Sequence, residues 1–110
     1  MPRVRPYVDG DGEAVLDLCL RAFAPACEAL ERRLGTDLGW RASIGRYVRS
    51  LTRPGERERL MVAESRGAVV GVVQYHVDRE TESGSIGISA VHPARQGKGV
   101  GSLMYRHVLE

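Results

Sequence analysis

The feature that most restricts the fold lies between Leu60 and Val91, where three β-type runs follow one another with little chain between them. Leu60-Met61-Val62-Ala63 is a short apolar strand. Ala68 to Val77, rich in Val and Tyr, reads as a central strand. Ser85 to Val91 is the next, bounded by His92-Pro93. Ser65-Arg66-Gly67 is a connection of hairpin length, and polar Arg79 to Gly84 is a second turn. Strands in hairpin succession predict a mainly antiparallel sheet.

The first half has a different period. Val4 to Val8 alternates weakly and predicts a short opening strand, and Asp9-Gly10-Asp11-Gly12 is a turn. A helix follows, with Asp11 as its cap and Glu13 in its first turn. Val15, Leu18, Cys19, Ala22 and Phe23 form its apolar stripe. Ala24-Pro25 predicts a break or kink, after which Cys27, Leu30 and Leu34 continue a stripe as far as Gly35-Thr36-Asp37. Trp40, Ile44, Tyr47, Val48 and Leu51 make another, ended by Thr52-Arg53-Pro54-Gly55. Gly99 to Glu110 predicts a last helix on Val100, Leu103, Met104, His107 and Val108. The expected order is β1-α1-α2-β2-β3-β4-α3, an α+β fold with helices on both faces of the sheet.

Composition narrows the class. At 110 residues and 43% hydrophobic, the chain reads as one domain, residues 1–110, able to bury a core without staples. No apolar run approaches the ~18 residues of a membrane span, and the opening MPRVRPYVDGDG has no signal-like stretch, so the expected location is the cytoplasm with no membrane partner. Sixteen basic against 14 acidic residues argue against a dedicated nucleic-acid binder. Cys19 and Cys27 belong to no Cys/His cluster, so no metal is expected, and both are expected as reduced core thiols.

The most informative segment is Ile86 to Leu109, where a strand runs into a Gly-rich loop that opens a helix. The first N–H groups of a helix have no carbonyl partner within it. Gly97, Gly99 and Gly101 allow close backbone approach. Arg95 and Lys98 add positive charge. This chemistry suits a phosphate or pyrophosphate. It is not a P-loop, because His92 stands where the first Gly belongs and Gly99 where Ser or Thr belongs. Nor is it a dinucleotide fingerprint, because the sixth position is Ser102 and no acidic residue follows about 20 residues on.

What remains is Gln96-x-x-Gly99-x-Gly101, which resembles the [RQ]xxGx[GA] acyl-CoA loop of the GNAT superfamily of N-acetyltransferases. Val91-His92-Pro93 resembles that family's exit from its fourth strand, and the element order matches along essentially the whole chain. The resemblance implies acetyl-CoA as acyl donor. Its pyrophosphate would lie on Gln96, Gly97, Lys98, Gly99, Val100, Gly101 and Ser102, and its pantetheine arm along Ser89, Ala90 and Val91. The implied reaction is direct attack of a primary amine, carried by a small molecule or a peptide, on the acetyl thioester. It needs a neutral amine, donors for the oxyanion and a proton for the thiolate. Backbone N–H groups near Ala90 and Val91 would serve the oxyanion.

Simple alternation sends Ile86, Ile88 and Ala90 to one face and Ser85, Gly87, Ser89 and Val91 to the other, so neither face carries the carboxylate many members place there. His76, Glu82 and Tyr75 are the candidate bases, and only one of Tyr75 and His76 can face the cleft. Phe23, Trp40, Tyr47 and Tyr75 are candidate substrate contacts, with core packing the competing role for Trp40 and Tyr47. The family normally continues with a fifth strand and a helix that often carries an acid Tyr, whereas this chain stops at Glu110. Tyr105, off the apolar stripe of the last helix, is not assigned that role. The chain therefore reads as a C-terminally truncated GNAT-type domain, and its last strand would leave an edge that invites a homodimer. Two rival functions follow: a non-catalytic acyl-CoA-binding or regulatory module of the same fold, and a small nucleic-acid-binding domain on the Arg faces, whose affinity would fall steeply with salt.

Overall fold

The structure, a computed structural model, describes residues 2–53, 60–78, 80, 81 and 83–109, with backbone alone at 76–78, 83–85, 107 and 109. Its elements are β1 (Arg3–Pro6), α1 (Gly12–Leu34), α2 (Trp40–Leu51), β2 (Leu60–Ser65), β3 (Ala68–Asp78), β4 (Ser83–Val91) and α3 (Val100–Leu109). Short 3₁₀ turns at Asp9–Asp11 and Pro93–Arg95 lead into α1 and towards α3.

The four strands form one antiparallel sheet in the order β1-β2-β3-β4. The turn at Arg66-Gly67 has positive φ at both residues, the backbone hand that matches strand twist in a two-residue hairpin. Side chains alternate across β2, and the two sets enter different cores. Leu60 and Val62 join Val72 and Ala90 under α1 and α2, against Val15, Leu18, Cys19, Val48 and Leu51. Met61 and Ala63 join Val73 under α3, against Val100 and Met104. Each fully buried Val or Leu contributes about 1.5–3 kcal/mol, so each face holds its own helices by burial. At Gly71 a Cβ would come within 2.9 Å of Met104 Sδ and 3.1 Å of Val100 Cγ1, so the absence of a side chain there sets how closely α3 lies on the sheet.

Five details depart from the sequence reading. α1 runs unbroken through Pro25, which costs it one N–H. The first half is anchored by Val15, Leu18 and Cys19, and the second half is tied back by Glu31, whose carboxylate accepts from the Leu38 N–H at 2.7 Å. Leu30 and Leu34, expected on a buried stripe, are exposed. Asp11 makes no side-chain cap for α1. Its carboxylate instead takes Arg5 Nη1 and Nη2 at 2.8 and 3.0 Å and the Val8 N–H at 2.9 Å, and Arg5 holds its pKa below the ordinary carboxylate value. Of the two thiols, Cys19 is buried and its pKa is pushed up to about 11 by burial, whereas Cys27 is half-buried and not in the core.

The fifth departure bears on the site. Along β4 the register moves from Gln74↔Ile88 to Tyr75↔Ile86, leaving Gly87 as the extra residue of a bulge. Residues directly opposite each other share a face. Ile86 therefore sits with Tyr75 on the α3 face, not with Ile88 and Ala90 as strict alternation would have it.

Candidate acyl-CoA site

Among the described residues β4 is the last strand of the sheet, and one side of its backbone has no strand beside it. The His92 N–H donates to the Val70 carbonyl at 2.9 Å, which fixes the phase of the ladder. Residues 92, 90 and 88 then turn their N–H and C=O groups towards β3, and Val91 and Ser89 turn theirs to the free edge. An extended chain carrying amides would find donors and acceptors at strand spacing there.

The edge leads directly into the loop. His92 Nδ1 accepts from the Ala94 N–H at 3.1 Å, and the Arg95 N–H donates to the His92 carbonyl at 2.8 Å, closing the 3₁₀ turn. Gln96 Nε2 donates to the Val91 carbonyl at 3.1 Å, tying the loop to the free edge of the strand. Gly97 and Gly99 have φ of 78° and 84°, where a Cβ is strongly disfavoured. The first helical bond of α3 runs from the Leu103 N–H to the Gly99 carbonyl at 3.0 Å. The N–H groups of Val100, Gly101 and Ser102 precede it and have no helical carbonyl four residues back. They carry the positive end of the α3 dipole, with the exposed Lys98 and half-buried Arg95 beside them. The arrangement is an anion cradle at the end of an amide-bearing edge.

A cleft of about 280 Å³ lies where this edge meets α1 and α3. It is lined by Ser89, Ala90, Val91, Gln96 and Gly101, together with Phe23 from α1. Ala22 and Met104 complete it, and neither stood out in the sequence because both read as ordinary stripe residues. None of the described residues that line it is titratable, and among them Ser89 alone carries a side-chain hydroxyl.

The remaining candidates lie elsewhere. Trp40 is buried at the start of α2, with the Arg41 guanidinium 4.5 Å from its ring centroid, and lines a larger groove of about 800 Å³ with Glu28, Glu31 and Asp37. Glu31 is eight residues beyond Phe23, about 12 Å further along α1. Tyr47 is exposed on α2. Tyr75 is half-buried against the α3-side core and does not line the cleft. The His76 backbone pairs with Ser85; its side chain, and the whole of Glu82, lie outside the described residues. Tyr105, given no role from the sequence, has its hydroxyl 2.9 Å from Ser89 Oγ. No spacing rule signals that contact, because it joins a strand to a helix 16 residues later.

Among the described residues, no three His, Cys, Asp or Glu side chains are grouped to hold a metal ion, and no helix is long and apolar enough to cross a membrane. Known proteins place the fold. Residues 14–110 match the family model for the Acetyltransferase (GNAT) family. No curated protein sequence matches the chain. Among solved structures, it is similar to a Corynebacterium glutamicum protein described as histone acetyltransferase HPA2 and related acetyltransferase, with a TM-score of 0.74 and 21% identity over 96% of this chain and 68% of that one. A GNAT family acetyltransferase from Brucella melitensis, solved with acetyl-CoA, gives a TM-score of 0.65 and 22% identity over 99% and 66%. The diaminobutyrate acetyltransferase of Paenibacillus lautus, solved with its substrate and coenzyme A, gives 0.66 and 18% over 100% and 57%. The chain thus spans about two thirds of the first two of these proteins and less of the third. With a family model covering residues 14–110 and an antiparallel α+β fold to match, the chain belongs to the GNAT family of acetyltransferases.

Proposed function

We propose that this domain binds acetyl-CoA along the free edge of β4 and transfers its acetyl group to a primary amine. The observation that carries the reading is continuity: the outward N–H and C=O groups of Ser89 and Val91 run straight into the cradle at Gly97–Ser102. A ligand that suits both parts has amides in an extended arm and a pyrophosphate at its end, which describes coenzyme A. On this reading the backbone of Gln96 to Ser102 holds the pyrophosphate, with Lys98 and Arg95 adding charge. Ser89, Ala90 and Val91 hold the arm, and Gln96 fixes the loop to the strand.

The acetyl end then points past Ser89 towards the Gly87 bulge, where ladder pairing is interrupted; a backbone N–H released from the ladder there would serve a developing oxyanion in place of that of Ala90, which faces β3. The attacking nitrogen forms the new C–N bond, the C–S bond breaks with its electron pair on sulfur, and the amine's surplus proton leaves to solvent or a base. Phe23 would exclude water beside the thioester. Of the bases considered from sequence, His76 stays a proposal on its pKa range and Glu82 on its sequence position. Tyr75 fits a packing role better, given its place against the α3-side core.

A second reading, a non-catalytic acyl-CoA-binding module, is favoured by one observation: among the described residues no acid or base lines the cleft. Calorimetric titration of the folded chain with acetyl-CoA, followed by mass spectrometry of a panel of primary amines incubated with both, separates the readings. The enzyme reading expects one site per chain and at least one acetylated amine. Binding with no turnover on any amine supports the module. No binding by the folded chain overturns both.

A further inference from the structure

From the hydrogen bond between Tyr105 and Ser89 at the cleft, we infer that the Ser89 hydroxyl donates a hydrogen bond to the sulfur of coenzyme A, with Tyr105 as the residue that positions it. The inference rests on the acyl-CoA reading and adds a role for two side chains to it.

A serine hydroxyl has one hydrogen to donate and two lone pairs. Tyr105 Oη lies 2.9 Å from Ser89 Oγ, and either oxygen could donate in that contact. Acidity decides between them. A phenol is a far stronger acid than an alkyl alcohol, so Tyr105 is the better donor and Ser89 the acceptor. On that assignment the Ser89 hydrogen is not spent on Tyr105, its rotor is held, and Ser89 is one of the residues that line the cleft. Among the described residues no other hydroxyl lines that cleft, and Gln96, the other polar side chain there, spends one of its two amide hydrogens on the Val91 carbonyl.

The position along the strand fits the sulfur. Val91 lies next to the loop, and Ser89 is two residues further from it, about 6.7 Å along an extended strand. An arm that begins at the cradle and pairs its two amides with the free edge reaches its thiol end at or beyond Ser89. When the C–S bond breaks and its electron pair passes to sulfur, the negative charge develops where this hydrogen points. Ser89 keeps its proton throughout. The thiolate later takes a proton from water, which balances the one released by the amine. A donor fixed in advance stabilises that charge without reorganising at the moment of reaction, and a less basic thiolate leaves faster.

The test needs no acceptor amine. Coenzyme A bound to the wild-type chain, to Ser89→Ala and to Tyr105→Phe is titrated with base, and the ultraviolet absorbance of the thiolate is followed. Calorimetry on the same samples gives affinity, with a coenzyme A analogue bearing hydrogen in place of the thiol as control. A hydrogen bond to the thiolate favours the ionised form, so the wild-type midpoint is the lowest. Loss of a charge-assisted bond raises the midpoint by about one pH unit in Ser89→Ala, a tenfold change, and by less in Tyr105→Phe. Ser89→Thr, which keeps the hydroxyl, restores most of it. The thiol-free analogue binds all four proteins alike, which a general disturbance of the cleft would not allow. Equal midpoints in bound wild type and both hydroxyl-deleted variants overturn this inference and leave the acyl-CoA reading standing. No binding of coenzyme A to the folded wild-type chain overturns the reading and this inference together.

Discussion

At one edge of the sheet, β1 packs two arginines and a proline into four residues; at the other, β4 runs for nine residues without a charge. The β1 edge is tied down. Arg5 donates to Glu64 at 3.0 Å across the strand pair and grips Asp11, and Arg3 lies 3.8 Å from Glu64. Short length, charge and proline are the usual ways a sheet edge is closed to further strands. β4 has none of these protections, and its outward groups at Ser89 and Val91 end in a cradle for an anion. The difference teaches where pairing is permitted. An open edge is a liability unless something occupies it, and on the proposed reading the occupant is the arm of coenzyme A, with its pyrophosphate at the loop.

The comparison breaks most sharply at the loop. Gly99→Glu puts a carboxylate and a Cβ at a φ of 84°, beside the α3 N-terminus. Acetyl-CoA affinity should fall by about 100-fold or more, while the backbone change costs only about 1 kcal/mol of stability. Calorimetry with circular dichroism reads both. Unchanged affinity in the folded variant would remove the loop assignment.

The opposite edge gives the next effect. The Arg5 and Asp11 side chains are 21% and 9% exposed, so Asp11→Asn leaves a poorly solvated guanidinium short of a partner. A loss of about 2 kcal/mol is expected in urea unfolding, below the range for a fully buried pair. The pH dependence has a definite sign. Arg5 lowers the folded pKa of Asp11, so its contribution is complete above the unfolded value near 4 and is lost as pH falls through the lower folded value. Wild type should lose stability across that acid range faster than Asp11→Asn. Parallel curves would show that the pair does not anchor this edge.

Two smaller effects sharpen the contrast. Gly71→Ala forces a Cβ against Met104 and Val100, and should cost about 1–2 kcal/mol while loosening α3 over the sheet. A thermal unfolding temperature equal to that of wild type would mean Met104 moves aside freely. Ile86→Lys places a guard on the β4 edge beyond Gly87. Any self-association read by light scattering should weaken. Equal self-association in both proteins would place any contact between copies elsewhere.

How far the sequence carried this contrast differs from region to region. The glycine loop was legible because Gly97 and Gly99 sit between a strand and a helix, and their positive φ values follow from that junction. The strand order was legible because hairpin-length connections fix neighbours. The Gly87 bulge was not, because alternation assumes a regular ladder, and it put Ile86 on the wrong face. Pro25 misled because its local cost is visible in the sequence while the burial that anchors the first half of α1, at Val15, Leu18 and Cys19, is not. Asp11 was read as a cap because the sequence does not show that the Arg5 side chain turns towards it. Among the aromatic candidates, Phe23 reaches the cleft and Trp40 lines another groove, a distinction set by the direction of α1 and not by residue type. The bond from Tyr105 to Ser89 depends on how α3 docks, which Gly71 governs from a different strand.

The most direct test of the account is amide hydrogen exchange with and without acetyl-CoA. The account predicts new protection at Ser89 and Val91 and across Gly97 to Ser102, with the amides of Arg3 to Val8 unchanged. Binding that protects the β1 edge, or that leaves β4 and the loop exchanging as before, would contradict it.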